Sequence, residues 1–262
     1  MFKDKVVWIT GASSGIGLSM VRDLDKRGAK IVLSSRSLSK LNEIKDSLEN
    51  SDKHIVKVLD LEHSENFKQL AVEIVEHYGH IDFLINNGGL SQRSEACETS
   101  LDIDRRIMEI NYFGNIALTK AVLPVFQSQK SGHILVISSI AGKFGFFLRS
   151  AYSASKHALH GFYESLMLEE EKNNIFITIA CPGKINTPIS TNALNSKGDK
   201  HGVMDHNQST GMSAEQCAKE LIEAVINRKK EILVGNKEIK AVTLKRFFPK
   251  LFWKVIRKQS AT

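Results

Sequence analysis

Short runs of apolar residues alternate along this chain with longer stretches in which apolar residues recur every three or four positions. Each short run predicts a buried strand. Each longer stretch predicts an amphipathic helix, because positions three and four apart share one helix face. The predicted strands cover residues 5–10, 31–34, 55–59, 81–85, 133–137, 175–180 and 231–234. The predicted helices cover residues 18–27, 38–48, 64–78, 101–129, 151–168 and 214–227.

The order of these elements is a strict alternation of strand and helix. Such an alternation predicts parallel βαβ units with right-handed crossovers. We therefore expect an α/β fold, a doubly wound parallel sheet of about seven strands with helices on both faces. No repeat, low-complexity stretch or linker divides the chain, so residues 1–236 are expected to form a single domain.

Two stretches depart from this alternation. Residues 189–211 are polar and lack periodicity, which predicts a mobile substrate loop beside the site and outside the core. Residues 237–262 form a basic tail whose apolar positions can share one stripe of a helix, with a kink at Pro249. The stripe consists of Leu244, Phe247, Phe248, Leu251, Val255 and Ile256.

The net charge of the chain is concentrated in this tail. The whole sequence carries +7, and residues 237–262 hold eight lysines and arginines against one glutamate, so the remainder is balanced. We therefore expect no nucleic-acid partner. Aromatic and basic residues together suit the surface of an anionic membrane, although the tail is too short to span one. The alternative is a terminal helix that folds over the substrate pocket or against an oligomer partner.

The composition is that of a soluble globular chain, with 42% apolar and 25% charged residues. The three cysteines show neither metal-ligand spacing nor a disulfide framework, which favours a reducing compartment. The first strand begins by Lys5, so we expect no leader sequence. The expected location is the cytoplasm, peripheral to a membrane if the tail binds one. The nine histidines show no ligand spacing, and no metal is expected.

A glycine-rich turn joins the first strand to the first helix. Residues 11–17 read G-x-x-x-G-x-G between the two elements. Glycines at such a turn let the backbone approach a pyrophosphate, and the helix N-terminus holds the anion. The alternative is that the glycines serve tight packing only, but the flanking strand and helix favour dinucleotide binding. The candidate cofactor residues are Gly11, Ser13, Ser14, Gly15, Ile16 and Gly17.

The second strand leads into Ser35 and Arg36, in the region where NAD-binding folds carry an acidic residue for the ribose 2′-hydroxyl. Without that carboxylate a 2′-phosphate is tolerated, and the guanidinium of Arg36 can pair with it. The sequence therefore predicts NADP(H) rather than NAD(H). The alternative is that Arg36 only caps a solvated strand end.

Tyr152 and Lys156 are four residues apart, so they share one face of a helix. A phenol is a weak acid, and a neighbouring ammonium stabilises the phenolate, which suits general acid–base chemistry. Such a pair alone is common on helix surfaces. The motifs that precede this one along the chain make the interpretation specific.

In their order along the chain these motifs resemble the short-chain dehydrogenase/reductase family. The resemblance covers about residues 3–235 and is closest to the branch with 11β-hydroxysteroid-dehydrogenase-like enzymes and the dehydrogenase/reductase member 7 group. It implies a Rossmann fold and an oxidoreductase that interconverts a ketone or aldehyde and an alcohol by hydride transfer, for which Arg36 makes NADP(H) the expected cofactor. A hydrophobic, lipid- or steroid-like substrate would suit it. The motifs are Thr10-Gly11-x-x-x-Gly15-Ile16-Gly17, Asn86-Asn87-Gly88-Gly89, Asn111, Ser139, Tyr152-x-x-x-Lys156 and Pro182-Gly183.

The resemblance also implies a role for each matching residue. Tyr152 is implied as the general acid/base and Ser139 as the residue that hydrogen-bonds the substrate oxygen. Lys156 would hold the nicotinamide ribose and lower the pKa of Tyr152, and Asn111 would support a proton relay through water to solvent. Ser138 lies outside the family spacing and is expected to point elsewhere. The further implied cofactor contacts are Asp60, Leu61, Asn87, Gly88, Pro182, Gly183, Ile185 and Thr187.

One position departs from the family pattern. Gly88 stands where alanine is usual, which removes a methyl contact but no catalytic group. Nucleotide-sugar epimerases also carry Tyr-x-x-x-Lys, but they are longer and use another glycine spacing. A non-catalytic NADP-binding regulatory module remains the alternative function. Family members commonly pair through the helices that begin here near Leu101 and Ala151, so a homodimer or homotetramer is expected.

Overall fold

The computed structural model describes residues 1–260. Seven parallel strands form the main sheet in the order β3-β2-β1-β4-β5-β6-β9, and β7 and β8 form a second, two-stranded sheet. The strands are β1 Val6–Thr10, β2 Lys30–Ser34, β3 Ile55–Val56, β4 Phe83–Asn86, β5 Gly132–Ile137, β6 Ile175–Pro182, β7 Ile185–Asn186, β8 Met212–Ser213 and β9 Glu231–Val234.

Helices pack on both faces of the main sheet. They are α1 Gly15–Lys26, α2 Leu38–Asp46, α3 Phe67–Tyr78, α4 Leu101–Met108, α5 Gly114–Gln129, α6 Ser150–Glu170, α7 His206–Ser209, α8 Ala214–Ile226, α9 Lys240–Phe247 and α10 Pro249–Ile256. Helices α1, α2 and α8 cover one face, and α3, α5 and α6 cover the other. The predicted doubly wound α/β fold is therefore confirmed. No helix within residues 1–260 combines the length and the apolarity that crossing a membrane requires.

The first strand illustrates why the sheet is buried on both faces. Val6 and Trp8 join the apolar cluster under α3, α5 and α6, whereas Val7 and Ile9 join the cluster under α1, α2 and α8. All four side chains are fully buried. A parallel sheet that is covered on both faces requires continuous apolar strands rather than alternating ones. The continuous runs in the sequence predicted strands for this reason.

Two predicted elements differ in detail from the structure. Strand β3 pairs with β2 over two residues only, although Lys57 N and Leu59 N still donate to carbonyls at the end of β2. The helix predicted over residues 101–129 is present as α4 and α5, joined by the π-helical stretch Glu109–Phe113. Such stretches often occur at functional sites. The side chain of Asn111 within this one is fully buried.

The segment 189–211 is more buried than its polar sequence predicts. Ser190 and Ala193 are fully buried, and Leu194 and Asp205 are nearly so. The prediction that the segment stays outside the core is therefore wrong for these residues. The physical reason is that their partners are distant in sequence, since Leu194 packs against α4 and α6 and Asp205 pairs with Arg93 and Arg149.

The basic tail forms two helices that dock against the body of the protein. Helix α9 ends just before Pro249 and α10 begins there, in agreement with the predicted kink. Phe252 and Ile256 are buried against Phe144, whose ring centre lies 5.2 Å from that of Phe252. The tail therefore folds over the body. Its final residues, 261–262, lie outside the described part of the chain.

The order of strands reverses direction between β1 and β4, which are neighbours in the sheet. Connections that leave in opposite directions open a crevice at the carboxyl ends of such strands, and open parallel sheets bind ligands there. Four of the candidate motifs follow the central strand ends. Gly11 follows β1, Asn87 follows β4, Ser139 comes shortly after β5, and Gly183 follows β6.

Candidate active site

One cavity gathers most of the residues that the sequence predicted for the site. Its volume is about 940 Å³, and it lies at the carboxyl ends of the central strands. The predicted residues that line it are Gly11, Ser14, Gly15, Ile16, Asn87, Gly88, Ser139, Tyr152, Lys156, Pro182, Gly183, Ile185 and Thr187. The predicted residues that do not line it are Ser13, Gly17, Ser35, Arg36, Asp60, Leu61 and Asn111.

The turn after β1 has the shape that a pyrophosphate group requires. Gly11 and Gly15 have φ values of +65° and +53°, in the left-handed region that favours glycine. A Cβ atom on Gly17 would lie 2.3 Å from the carbonyl oxygen of Gly11. The side-chain amide of Asn87 donates to Thr10 O at 3.0 Å and to Gly11 O at 3.3 Å, which holds the turn in place. The N-terminus of α1 borders the cavity, so these residues fit a bound dinucleotide phosphate.

The end of β2 offers a second polar position beside this turn. The hydroxyl of Ser35 is buried and has no hydrogen-bond partner among residues 1–260. Arg36 is exposed next to it. Ala12 N donates to Ser34 O at 3.1 Å, so the strand end and the glycine turn are adjacent. An unpartnered hydroxyl next to an exposed guanidinium fits an anionic group of a bound cofactor.

Asp60 and Leu61 follow β3, the strand that neighbours β2 in the main sheet. The carboxylate of Asp60 accepts from the backbone amide of Glu62 at 3.1 Å. Leu61 is buried and packs directly behind Gly88. Ser13 is half-buried within the glycine turn. The cofactor contacts of these residues stay predictions, since none of the three lines the cavity.

Lys156 lies on the buried face of α6, on the wall of the cavity. Its Nζ atom lies 5.8 Å from the centre of the Tyr152 ring and donates to the carbonyl of Ile137 at 2.8 Å. Burial lowers the pKa of Lys156 to about 8. The two side chains therefore have the proximity that their spacing on one helix predicted.

Tyr152 carries a phenol that is buried on the same wall. Burial raises the pKa of Tyr152, because a phenolate loses its hydration there. A hydrogen bond with Ser139 and the positive charges of Arg93 and Arg149 act in the opposite direction and lower that pKa. The sequence predicted that Lys156 would lower this pKa, whereas the groups that lower it in the structure are Ser139, Arg93 and Arg149.

The two adjacent serines after β5 point in different directions. Ser139 faces the cavity, and its Oγ donates to Pro182 O at 3.4 Å. Ser138 Oγ instead donates to Lys156 O and lies 3.1 Å from Nε2 of His160. Ser138 also borders the cavity, but its hydroxyl is bonded to α6, so the prediction that it points elsewhere holds for the hydroxyl.

Asn111 lies behind the loop that follows β4. Its Oδ1 accepts from Leu90 N at 2.7 Å, and its Nδ2 donates to Leu90 O and to the hydroxyl of Ser155 at 2.8 and 2.9 Å. A Cβ atom on Gly89 would lie 3.1 Å from Oδ1 and 3.5 Å from Nζ of Lys156. The amide therefore ties the loop to α6 close to Lys156. Its role in a proton relay stays a prediction.

Other parts of the cavity wall were not predicted from the sequence. Arg93 lies shortly after β4, and Arg149 precedes Tyr152 by three residues. These positions in the sequence could have indicated that both arginines lie near the site. Their pairing with Asp205 had no such signal, because the partners are 112 and 56 positions apart. The apolar part of the wall comes from Ile140, Phe144, Phe146, Leu244, Phe248, Val255 and Ile256.

A cluster of possible metal ligands lies behind α6. One ligand atom each from His160, Cys181 and Glu231 lies within 4.8 Å of the others, which the spacing of histidines and cysteines in the sequence did not indicate. Lys143 forms an ion pair with Glu231, so the cluster already contains a cation. Burial raises the pKa of Cys181 to about 12 and keeps its thiol protonated.

Comparison with known sequences finds a matching family model and related proteins. The family model described as short chain dehydrogenase matches residues 5–198. The mouse (Mus musculus) protein "Dehydrogenase/reductase SDR family member 7B" is 40% identical over 260 residues, which cover 97% of this chain and 80% of the relative. The Drosophila melanogaster "Dehydrogenase/reductase SDR family protein 7-like" is 37% identical over 262 residues, with coverage of 98% and 80%.

Solved structures with a similar overall fold include two short-chain dehydrogenases. A short-chain dehydrogenase from Streptomyces avermitilis superposes with a TM-score of 0.83 at 25% identity, covering 97% of this chain and 98% of the other. A short chain dehydrogenase/reductase from Burkholderia phymatum, in complex with NAD, gives a TM-score of 0.84 at 23% identity, with 95% coverage of both chains. The second likeness concerns the fold alone.

Proposed function

The chain belongs to the short-chain dehydrogenase/reductase family, and on that premise we propose that it interconverts a ketone or aldehyde and an alcohol with NADP(H). Its relatives lie in the member 7 branch that the motifs predicted. As a family member it is an oxidoreductase that acts on CH–OH groups with a nicotinamide dinucleotide. The observation that carries the finer proposal is the cavity in which Ser139, Tyr152 and Lys156 face the glycine turn.

The proposed chemistry assigns one task to each of these side chains. The nicotinamide supplies or accepts the hydride when it is bound. In reduction, Tyr152 gives its phenolic proton to the carbonyl oxygen of the substrate, and in oxidation it takes that proton back. Ser139 donates to the same oxygen and stabilises the negative charge that develops there. Lys156 holds the nicotinamide ribose and keeps a positive charge near the phenol.

The choice of NADP(H) over NAD(H) rests on the charge at the end of β2. The sequence there offers Ser35 and Arg36 and no carboxylate, so nothing at this position repels a 2′-phosphate. The exposed guanidinium of Arg36 and the unpartnered hydroxyl of Ser35 support the same choice.

The proposed substrate is hydrophobic beyond its reacting carbonyl group. Aromatic and aliphatic side chains from the turn after β5 and from the tail form one wall of the cavity, among them Phe144, Leu244 and Phe248. Such a wall removes apolar surface of a substrate from water. A lipid- or steroid-like ketone suits this wall better than a small polar one.

We also propose that the tail rests on a membrane surface. Phe247 and Trp253 are 65% and 51% exposed on α9 and α10, next to the basic residues of the tail. Exposed aromatics with lysines and arginines suit an anionic lipid interface. Leu244 on α9 and Phe248 between α9 and α10 line the cavity, so a membrane-bound tail would bring the pocket to the lipid.

A homodimer or homotetramer is the proposed assembly. Leu168 is 76% exposed on α6, and a Cβ atom on the exposed Gly161 would meet nothing within 4 Å among the described residues. An open helix face of this kind can pack closely against the same face of a second copy. Sedimentation velocity of the purified protein measures this assembly directly.

The test of the function is NADPH oxidation with a panel of steroid, retinoid, fatty-acyl and small aromatic ketones. Tyr152→Phe is expected to abolish turnover while NADPH still binds, because the proton donor alone is lost. Tyr112→Phe, a half-buried tyrosine that does not line the cavity, is the matched control. Turnover that survives in Tyr152→Phe overturns the mechanism. NADPH binding without turnover of any panel member favours the regulatory module.

A further inference from the structure

Gln92 carries a fully buried amide next to the cavity wall. It stands in the sequence between Ser91 and Arg93, which both line the cavity. A buried amide is stable where its oxygen and its nitrogen both have hydrogen-bond partners. The partners of its oxygen lie at the start of α6, the helix that carries Tyr152. The side chain of Gln92 therefore links the segment that borders the cavity to that helix.

The oxygen atom of this amide caps the N-terminus of α6. Oε1 of Gln92 accepts from Ala151 N at 2.9 Å and from Tyr152 N at 3.4 Å. The next amide, Ser153 N, donates to the carbonyl of Arg149 at 2.7 Å. Amides in the first turn of a helix need an acceptor from outside the helix, and a guanidinium at the preceding position can only donate. Gln92 therefore supplies an acceptor that the residue before the helix cannot.

The nitrogen atom of the amide fixes which way it faces. Nε2 of Gln92 donates to the hydroxyl of Thr99 at 3.0 Å and to that of Ser150 at 3.2 Å. The carbonyl and hydroxyl oxygens of Ser94 lie 3.4 and 3.3 Å from it. Because acceptors surround the nitrogen and donors face the oxygen, the amide has one favourable orientation. In that orientation the oxygen faces the amides of α6.

The backbone around Gln92 is held by the segment 189–211. Leu194 N donates to Ser91 O at 2.9 Å, and Arg93 N donates to Leu194 O at 2.7 Å. These two bonds form a parallel bridge between Gln92 and Leu194. The side chain of Leu194 is buried against α4 and α6. The cap therefore starts from a backbone that is fixed relative to α6.

We propose that Gln92 is a positioning residue, which fixes the phenol of Tyr152 in the cavity by capping the first turn of α6. The inference rests on the proposed role of Tyr152 as general acid/base. Proton transfer requires the phenol oxygen to lie within hydrogen-bond reach of the substrate oxygen, so a small displacement is costly. Lys156 lies one turn further along α6, where its Nζ donates to the carbonyl of Ile137. Loss of the cap should therefore impair proton transfer and leave cofactor binding intact.

Three variants separate capping from a general loss of stability. Gln92→Met keeps the length of the side chain but removes the acceptor. Gln92→Glu keeps an oxygen acceptor at the helix N-terminus, where negative charge is favourable. Gln129→Met is the matched control, since Gln129 also bonds to backbone, accepting from Ile81 N at 3.1 Å and donating to Ile81 O at 2.8 Å. Ile81 lies just before β4, at the end of the sheet opposite the cavity.

The first measurement is amide hydrogen exchange, which needs no substrate. Labelling the full chain with ¹⁵N-tyrosine gives an amide signal from each of its four tyrosines. In Gln92→Met the Tyr152 amide should exchange about tenfold faster than in the parent protein, the scale of a lost helix cap. In Gln129→Met its rate should stay at the parent value, because fraying of the first turn of α6 does not break the contacts of Gln129. An unchanged rate in Gln92→Met, or an equal increase in both variants, overturns the inference.

The second measurement is turnover of the ketone that the parent protein reduces. Gln92→Met should lower kcat about tenfold or more and leave the Kd for NADPH unchanged. Gln92→Glu should recover most of that turnover, and Gln129→Met should keep the parent kcat. Full turnover in Gln92→Met, an equal loss in Gln92→Glu or Gln129→Met, or a parallel loss of NADPH affinity overturns the inference. Turnover that survives in Tyr152→Phe overturns the proposed function instead and leaves the exchange result standing.

Discussion

At Gly88 the volume of a missing methyl group is filled by a neighbour. Leu61 packs so closely that a Cβ atom on Gly88 would lie 2.7 Å from its Cδ1 atom. The sequence predicted only a lost methyl contact at this position. The structure corrects that reading, since the buried leucine occupies the space and compensates for the glycine.

Gly88→Ala is therefore expected to destabilise the protein by about 1 kcal/mol or somewhat more, because the added methyl overpacks Leu61. Leu61→Val alone should also cost about 1 kcal/mol through lost burial. In the double variant the two changes should be non-additive, and its stability should resemble that of Leu61→Val alone. Urea unfolding of the four proteins in the cycle measures this. Additive effects would contradict the packing explanation.

Arg36 carries the proposed cofactor preference at the same scale. Arg36→Ala is expected to weaken NADPH binding about tenfold or more and to leave NADH binding unchanged, because only NADPH offers a 2′-phosphate to the guanidinium. Isothermal titration with both cofactors at two salt concentrations measures this. The control is Arg22→Ala, since Arg22 is also an exposed arginine but lies on α1. An equal loss of affinity for NADPH and NADH would contradict this, since it would mean that Arg36 supports the structure of the site rather than the 2′-phosphate.

Proximity between residues of one short motif could be predicted, whereas contacts between residues far apart in the sequence could not. Tyr152 and Lys156 share a helix turn, and Gly11 and Gly15 share a loop, so local spacing was sufficient for them. Asp205 reaches the site from a polar segment without periodicity. Its partners follow from tertiary packing, which no local pattern encodes.

At the scale of elements, each strand of the main sheet was predicted to within a few residues. The five inner strands are buried on both faces, so each is a continuous apolar run, whereas the edge strands β3 and β9 are only partly buried. The two-residue strands β7 and β8 and the short helix α7 were not predicted. Elements of two to four residues are too short to show a period, and their existence depends on what packs against them.

Strand β5 also contains a buried histidine that makes stability depend on pH. Burial, and secondarily the charge of Arg228, lower the pKa of His133 to about 4. Its Nε2 atom lies 2.9 Å from the hydroxyl of Thr178 on β6. Between its unfolded value of about 6.5 and its folded value, the unfolded chain binds a proton that the folded chain does not. The contribution of this group is therefore present above pH 6.5 and lost as pH falls to 4.

His133→Gln is expected to flatten the loss of stability between pH 6.5 and 4, with up to about 3 kcal/mol assigned to this single group. Urea unfolding at pH steps across the window measures the slope. His157→Gln, an exposed histidine on α6, should leave the slope as it is. His160 contributes in the same direction, since its pKa is also lowered to about 4, so part of the slope should remain. An unchanged slope in His133→Gln would contradict the assignment.

At the scale of the whole molecule, the tail serves both the pocket and the outer surface. Its inner side supplies Leu244 to the cavity wall, and Phe252 anchors it to the body, whereas Phe248 both borders the cavity and is 61% exposed. Its outer side exposes Phe247 and Trp253. The predicted apolar stripe combined residues of both sides, because a helical pattern does not reveal which face the rest of the protein covers.

The Phe247→Ser and Trp253→Ser double variant is expected to bind phosphatidylserine vesicles about tenfold or more weakly than the parent protein, since two aromatic anchors are lost. Binding of the parent should also fall steeply with salt and be weak on neutral vesicles. Vesicle co-sedimentation measures both effects. Val72→Ser removes an apolar residue that is 49% exposed on α3, away from the tail and from the proposed oligomer face, and should change nothing. Equal losses in both variants would contradict a membrane role for the tail.

Because the tail docks on the body, two different stretches of the chain line one pocket. The proposed reacting groups come from strand ends and from α6, whereas part of the wall that would meet the far end of the proposed substrate comes from residues 237–260. Substitutions in that terminal stretch can therefore change which molecules fit while the hydride step is left intact. On the proposed function, the reaction and the choice of substrate are therefore encoded in different parts of the chain.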